Sequence, residues 1–160
     1  MPRPSAIKIV SGGQTGADRA ALDAALACGQ PCGGWCPQDR AAEDGPIDPR
    51  YPLKELPGGG YRQRTHRNVI DSDGTVVLSF GPPTDGSRAT VEDCGRENRP
   101  CLVIDAHNTE EPQAAAALGR FVARHDIAVL NVAGPRASKQ ARIYAYVRRV
   151  LALFLQDHAP

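Results

Sequence analysis

Long apolar runs are missing from this chain. No stretch approaches the ~20 consecutive apolar residues that cross a bilayer, and Met1-Pro2-Arg3-Pro4-Ser5 lacks the apolar centre of a secretory leader. An excess of one charge is missing too: 19 Lys and Arg against 18 Asp and Glu leave a formal net charge of +1. So balanced a chain makes no global electrostatic bid for nucleic acid or an anionic membrane. Aromatics are sparse, and three Phe and four Tyr do not interleave a basic surface as nucleic-acid recognition requires. These absences predict a cytoplasmic protein with neither a membrane nor nucleic acid as partner.

Familiar catalytic signatures are lacking as well. There is no G-x-S-x-G, no His-rich metal motif and no P-loop lysine after the glycines. His66, His107, His125 and His158 are scattered along the chain. Five cysteines, an odd number, argue against a closed disulfide framework. Cys28, Cys32 and Cys36 are spaced more widely than the paired ligands of zinc sites, and one closes a helix while the other two follow a strand. They read, with Cys94 and Cys101, as buried reduced thiols. No residue is assigned as catalytic or as a metal ligand.

What is present is a regular alternation. Apolar runs at Ile7–Val10, Cys32–Cys36, Thr75–Ser79, Cys101–Ile104 and Ile127–Val132 are β-prone. Helical patterns lie between and after them at Ala17–Ala27, Tyr61–Asp71, Ser87–Asn98, Glu110–His125 and Ser138–Gln156. Short buried strands separated by helices predict an α/β fold: a Rossmann-like, doubly wound, mainly parallel sheet with helices on both faces. A length of 160 residues suits one ligand-binding domain, 1–160. Between 37 and 60, Pro37, Pro46, Pro49, Pro52 and Pro57 with Gly45 and Gly58 to Gly60 interrupt any regular element. So long a loop reads as ordered and partly functional.

The first strand runs into Ser11-Gly12-Gly13-Gln14-Thr15-Gly16 and then a helix. A glycine-dense turn at a helix's positive end favours an anion, most often phosphate. The third strand leads into Gly81-Pro82-Pro83-Thr84-Asp85-Gly86-Ser87, and the fifth into Ala133-Gly134-Pro135-Arg136, with Ser138 opening the last helix. Ligands of open parallel sheets sit beyond the carboxyl ends of the strands, so these turns should converge on one pocket. Thr15 and Asp18 also fit a capping box, and Asp18 alternatively a sugar hydroxyl. Ser87 and Thr90 open a helix where hydroxyls cap or bind an anion, and Arg136 suits a phosphate fork. The candidate ligand set is Gly12, Gly13, Gln14, Thr15, Gly16, Asp18, Arg64, Asn68, Thr84, Gly86, Ser87, Thr90, Asn131, Gly134 and Arg136.

Several segments together resemble a known family: Ser11–Ala20, Gly34–Pro37, Ala42–Ile47, Arg64-Thr65, Asn68-Val69, Ser72–Thr75 and Asn131–Arg136. The chain is similar to the circularly permuted YpsA-like branch of the SLOG superfamily, whose members are often called molybdenum carriers. The resemblance implies a Rossmann-like sheet that binds a nucleotide or a nucleotide-derived ligand, molybdenum cofactor included, whose pterin bears a phosphate. A related branch holds the lysine-decarboxylase-like phosphoribohydrolases, which pair an arginine upstream of Ser-Asp with P-G-G-x-G-T-x-x-E. Arg64 stands in that arginine's place relative to Ser72-Asp73, but Pro82-Pro83 replace the paired glycines and Thr90 falls where the glutamate belongs. The resemblance therefore implies binding of a small phosphorylated ligand without that hydrolysis. Two other readings stay open: a nucleotide hydrolase using Asp44 or Glu92, and an interaction module with a vestigial pocket. The long apolar helices also suit self-association into a homo-oligomer.

Overall fold

A sheet with an inner strand, Gly74–Ser79, buried along its whole length organises the centre of the molecule. In the computed structural model, which describes residues 6–158, strands β1 (Lys8–Val10), β2 (Cys32–Gly33), β5 (Gly74–Ser79), β6 (Cys101–Asp105) and β7 (Val129–Ala133) form one sheet. Its order is β2-β1-β7-β5-β6 and every pairing is parallel. The leader reading at residues 1–5 falls outside the described residues. Helices α1 (Ala17–Ala27), α4 (Glu111–Arg124) and α5 (Ile143–Gln156) pack together as one layer, and α2 (Tyr61–Ile70) packs against α3 (Asp85–Arg96) in another. Alternate strand residues Ile9, Val76, Leu78, Ile104, Leu130 and Val132 bury against the first layer. This is the doubly wound, Rossmann-like α/β arrangement. Among the described residues no helix is long and apolar enough to cross a membrane.

Three expectations are corrected. Cys32–Cys36 is not one strand: Gly34, at φ +126°, turns the chain so sharply that a side chain there would begin 2.2 Å from Ser11 O. The run is split between β2 in the main sheet and β3 (Trp35–Cys36) in a second, two-stranded sheet. The partner of β3 is β4 (Lys54–Glu55), a strand inside the segment that proline and glycine were expected to keep irregular. Finally, α5 begins at Ile143, so Ser138 lies in the preceding turn and does not open the helix.

The 37–60 segment is folded onto the body. Ile47 and Tyr51 are buried with Leu22 and Cys36 in a second small core. Arg40 is its internal strut, donating to the carbonyls of Ile47, Asp48, Tyr51 and Leu53. Tyr51 donates its hydroxyl to Asp23 on α1 at 2.6 Å. Apolar anchors and satisfied carbonyls replace the regular ladder that proline denies this stretch.

Candidate functional site

Strand order places the site. Because β7 lies between β1 and β5, the turns leaving three adjacent strands open side by side at their carboxyl ends. Between them and α2 lies a cavity of about 380 Å³, within the size range of small-molecule sites. Nine of the fifteen candidate residues line it: Gln14, Asp18, Arg64, Thr84, Gly86, Ser87, Thr90, Gly134 and Arg136. The three turns read from the sequence as convergent do converge.

The glycine turn works differently from an open phosphate cradle. Its amides are largely taken internally: Gly13 donates to Ser11 Oγ (3.4 Å), Gln14 to Asp18 Oδ2 (3.3 Å) and Thr15 to Gln14 Oε1 (3.0 Å). The glycines are needed for close packing. A side chain at Gly16 (φ +79°) would begin 2.5 Å from Pro135 O, and one at Gly13 (φ +77°) 2.5 Å from Leu53 Cδ1. The Thr15–Asp18 capping box is not formed either, because Gly16 is the N-cap of α1 and carries no side chain. Thr15 instead donates to Glu43 and accepts from the Ala137 amide (3.1 Å), joining the first turn to the β7–α5 turn.

Behind the turn sits a buried ion pair. Arg64 Nη1 donates to Asp18 Oδ2 at 3.0 Å, with both side chains almost wholly enclosed. Burial pushes the Asp18 carboxyl above its ordinary pKa, while the Arg64 guanidinium and the Gln14 amide pull it down. Arg64 Nε is buried without a hydrogen-bond partner, and Arg64 Nη2 bonds to nothing among the described residues. A cation held this way has spare donor capacity at the cavity wall.

The first residues of α3 line the same space. The Asp85 and Gly86 amides make no hydrogen bond among the described residues, while Ser87 donates to Thr84 O (3.1 Å) and leaves its hydroxyl free. Four cationic side chains line the cavity (Arg62, Arg64, Arg136 and Lys139) against two carboxylates, Asp18 and Asp85. Lys139 pairs with Asp85. Arg136 rests its Nε on Ser138 Oγ (3.2 Å) and Glu43 Oε2 (3.3 Å). Arg62 grips Asp93 with both terminal nitrogens, at 2.5 and 2.6 Å. Burial opposes the Asp93 charge, yet Arg62 and then Arg96 hold its carboxyl below its ordinary pKa. The combination of helix dipole, free amides and clustered cations favours an anion.

Six candidate residues lie off the cavity: Gly12, Gly13, Thr15, Gly16, Asn68 and Asn131. Asn68 is spent on structure, accepting from the Trp35 amide (2.8 Å) and donating to Trp35 O (2.9 Å). Asn131 donates to Thr75 inside the sheet at 3.2 Å. The alternative carboxylates also lie elsewhere: Asp44 is paired with Arg19 (2.8 Å) and Glu92 with Arg88 (3.1 Å). Thr90 gives its hydroxyl to Gly86 O (2.9 Å). Sequence reasoning missed Tyr61, Arg62, Thr65, Asp85 and Lys139. Helical spacing carried a signal for two of them, since Tyr61 and Thr65 share a face with Arg64.

No curated protein matches the chain. The chain superposes with a TM-score of 0.93 on the crystal structure of a "Putative molybdenum carrier protein" from Syntrophus aciditrophicus SB. The two are 44% identical over 96% of this chain and 98% of the other. The profile of the circularly permutated YpsA SLOG family matches residues 9–155. On that match, supported by the structural neighbour, the chain belongs to the circularly permuted YpsA SLOG family.

Proposed function

We propose that this protein binds a phosphorylated, nucleotide-like small molecule in the cavity between the α3 N-terminus and α2, with molybdenum cofactor as the foremost candidate cargo. The observation that carries the reading is the pairing of unbonded Asp85 and Gly86 amides with four cationic side chains around one cavity. A phosphate at the start of α3 would accept from those amides and from Ser87, with Arg136 and Lys139 supplying charge. Arg64 would present its unused Nη2 amino group from α2. The name of the structural neighbour adds the molybdenum component, and a pterin phosphate has the charge such a cavity suits. Thr90 in the place of the related hydrolases' glutamate supports binding without that hydrolysis, as does the fact that neither Asp44 nor Glu92 lines the cavity.

Calorimetric titration with adenosine and guanosine monophosphates, a pterin phosphate and molybdenum cofactor tests the proposal. At least one should bind, and Arg136→Ala should weaken it by tenfold or more, roughly the worth of one charge-assisted contact. A folded protein that takes up none of them sinks it.

A further inference from the structure

Tyr61 is the one tyrosine that the fold does not use up. Of the four tyrosines, Tyr51 and Tyr144 donate their hydroxyls to Asp23, and Tyr146 donates to Thr109 O. The Tyr61 hydroxyl has no partner among the described residues, and its side chain is 45% exposed. It is also the one aromatic residue in the cavity lining. A large apolar ring left partly in water, with neither core nor hydrogen bond to account for it, invites a ligand.

Its position is nonetheless well defined. Tyr61 is the first residue of α2, after the N-cap Gly60, whose amide is held by Gln63 Oε1 at 3.0 Å. Thr65 Oγ1 bonds to Tyr61 O at 2.9 Å, tightening the same turn. The guanidinium carbon of Arg64 lies 5.8 Å from the ring centroid, so one side of the ring is already electrostatically engaged. Tyr61 and Arg64 both line the cavity. Cations and helix amides serve a phosphate first, whereas an aromatic side chain gives a flat ring a face to stack on.

We infer that Tyr61 is the stacking platform that makes the cavity selective for phosphates carrying a planar heteroaromatic ring, purine or pterin, over bare sugar phosphates. The inference rests on the phosphate reading above and adds its specificity determinant. Stacking is worth most to ligands that have a ring and nothing to those that lack one.

The test is a set of calorimetric titrations of the wild type, Tyr61→Phe and Tyr61→Ala with adenosine monophosphate, guanosine monophosphate, a pterin phosphate and ribose 5-phosphate, each variant first checked by thermal melting. Tyr61→Ala should weaken the ring-bearing ligands that bind by roughly 5- to 100-fold, the range measured for removing an aromatic beneath a base. It should change ribose 5-phosphate by less than about twofold, and Tyr61→Phe should keep the preference. Equal losses for all ligands, or no loss for any, overturn the inference while leaving the phosphate site standing. So does a wild type that binds ribose 5-phosphate as tightly as the nucleotides. A wild type that binds none of the four overturns this inference, and if it takes up no molybdenum cofactor either it overturns the phosphate reading as well.

Discussion

The Nη1 atom of Arg64 lies 1.6 Å from where a side chain on Gly12 would begin. The glycine is thus a socket for the guanidinium, and the buried pair with Asp18 depends on the missing methyl. Gly12→Ala must expel Arg64, which bends aside at little steric cost but leaves Asp18 buried without its counter-charge. The expected loss is about 3 kcal/mol of stability, the usual cost of breaking a buried pair, together with ligand binding. Arg64→Ala should cost a similar amount, and the double variant little more than either alone. Denaturant melts of the three proteins check this, and additive losses would show that Gly12 and Arg64 act separately.

Two glycines in the cavity wall should behave oppositely. A side chain at Gly86 meets nothing within 4 Å, whereas one at Gly134 would begin 2.5 Å from Leu78 O and 2.6 Å from the Ala17 methyl. Gly86→Ala, near the start of α3, should leave stability unchanged or raise it by up to about 1 kcal/mol. It should still weaken phosphate binding by crowding the free amides. Gly134→Ala should cost about 2 kcal/mol or more by forcing α1 from the sheet. Thermal melts with parallel titrations separate the two.

Asn68 should prove structural. Replacing it with Ala leaves the Trp35 amide and carbonyl without their partners, which costs about 2 kcal/mol. Ligand affinity should stay within about twofold of wild type, because Asn68 does not line the cavity. A large drop in affinity at unchanged stability would return Asn68 to the binding site.

Acid should loosen the 37–60 segment first. Bonds from Ser138 and Thr15 hold the Glu43 carboxyl below its ordinary value of 4.5, and Arg19 holds Asp44 below 3.8. Carboxyls depressed by folding stabilise the folded chain above those values, and the contribution disappears as pH falls through the lower folded ones. Amide exchange around 41–45 should therefore quicken below about pH 4 while the central strands stay protected. Glu43→Gln should show part of that quickening already at pH 7. Simultaneous loss of protection everywhere would refute a local release.

The sequence carried the layout and half of the site's logic. Ile7–Val10, Thr75–Ser79 and Ile127–Val132 stand out as short apolar runs, Val147, Val150, Leu151 and Phe154 recur with helical periodicity, and both patterns are local. The three polar turns could be placed at one end of the sheet because parallel connections leave little choice. Asn68 and Thr15 were read as ligand contacts since a polar residue near a glycine turn looks the same whether it binds a guest or another loop. The strand at Lys54–Glu55 gave no local signal, since the strand it pairs with, Trp35-Cys36, lies some twenty residues away in the chain.

Taken alone, the order of residues determined the α/β class, the parallel sheet and which turns face the ligand side, because burial periodicity and turn chemistry act over a few positions. Tertiary structure alone decided what each polar group does. Arg64 meets Asp18 across 46 residues, and Thr15 meets Ala137 across 122. At such separations a donor's partner is chosen by how layers pack, and the donors left over after that choice, on Arg64 and at the start of α3, are those a ligand can use.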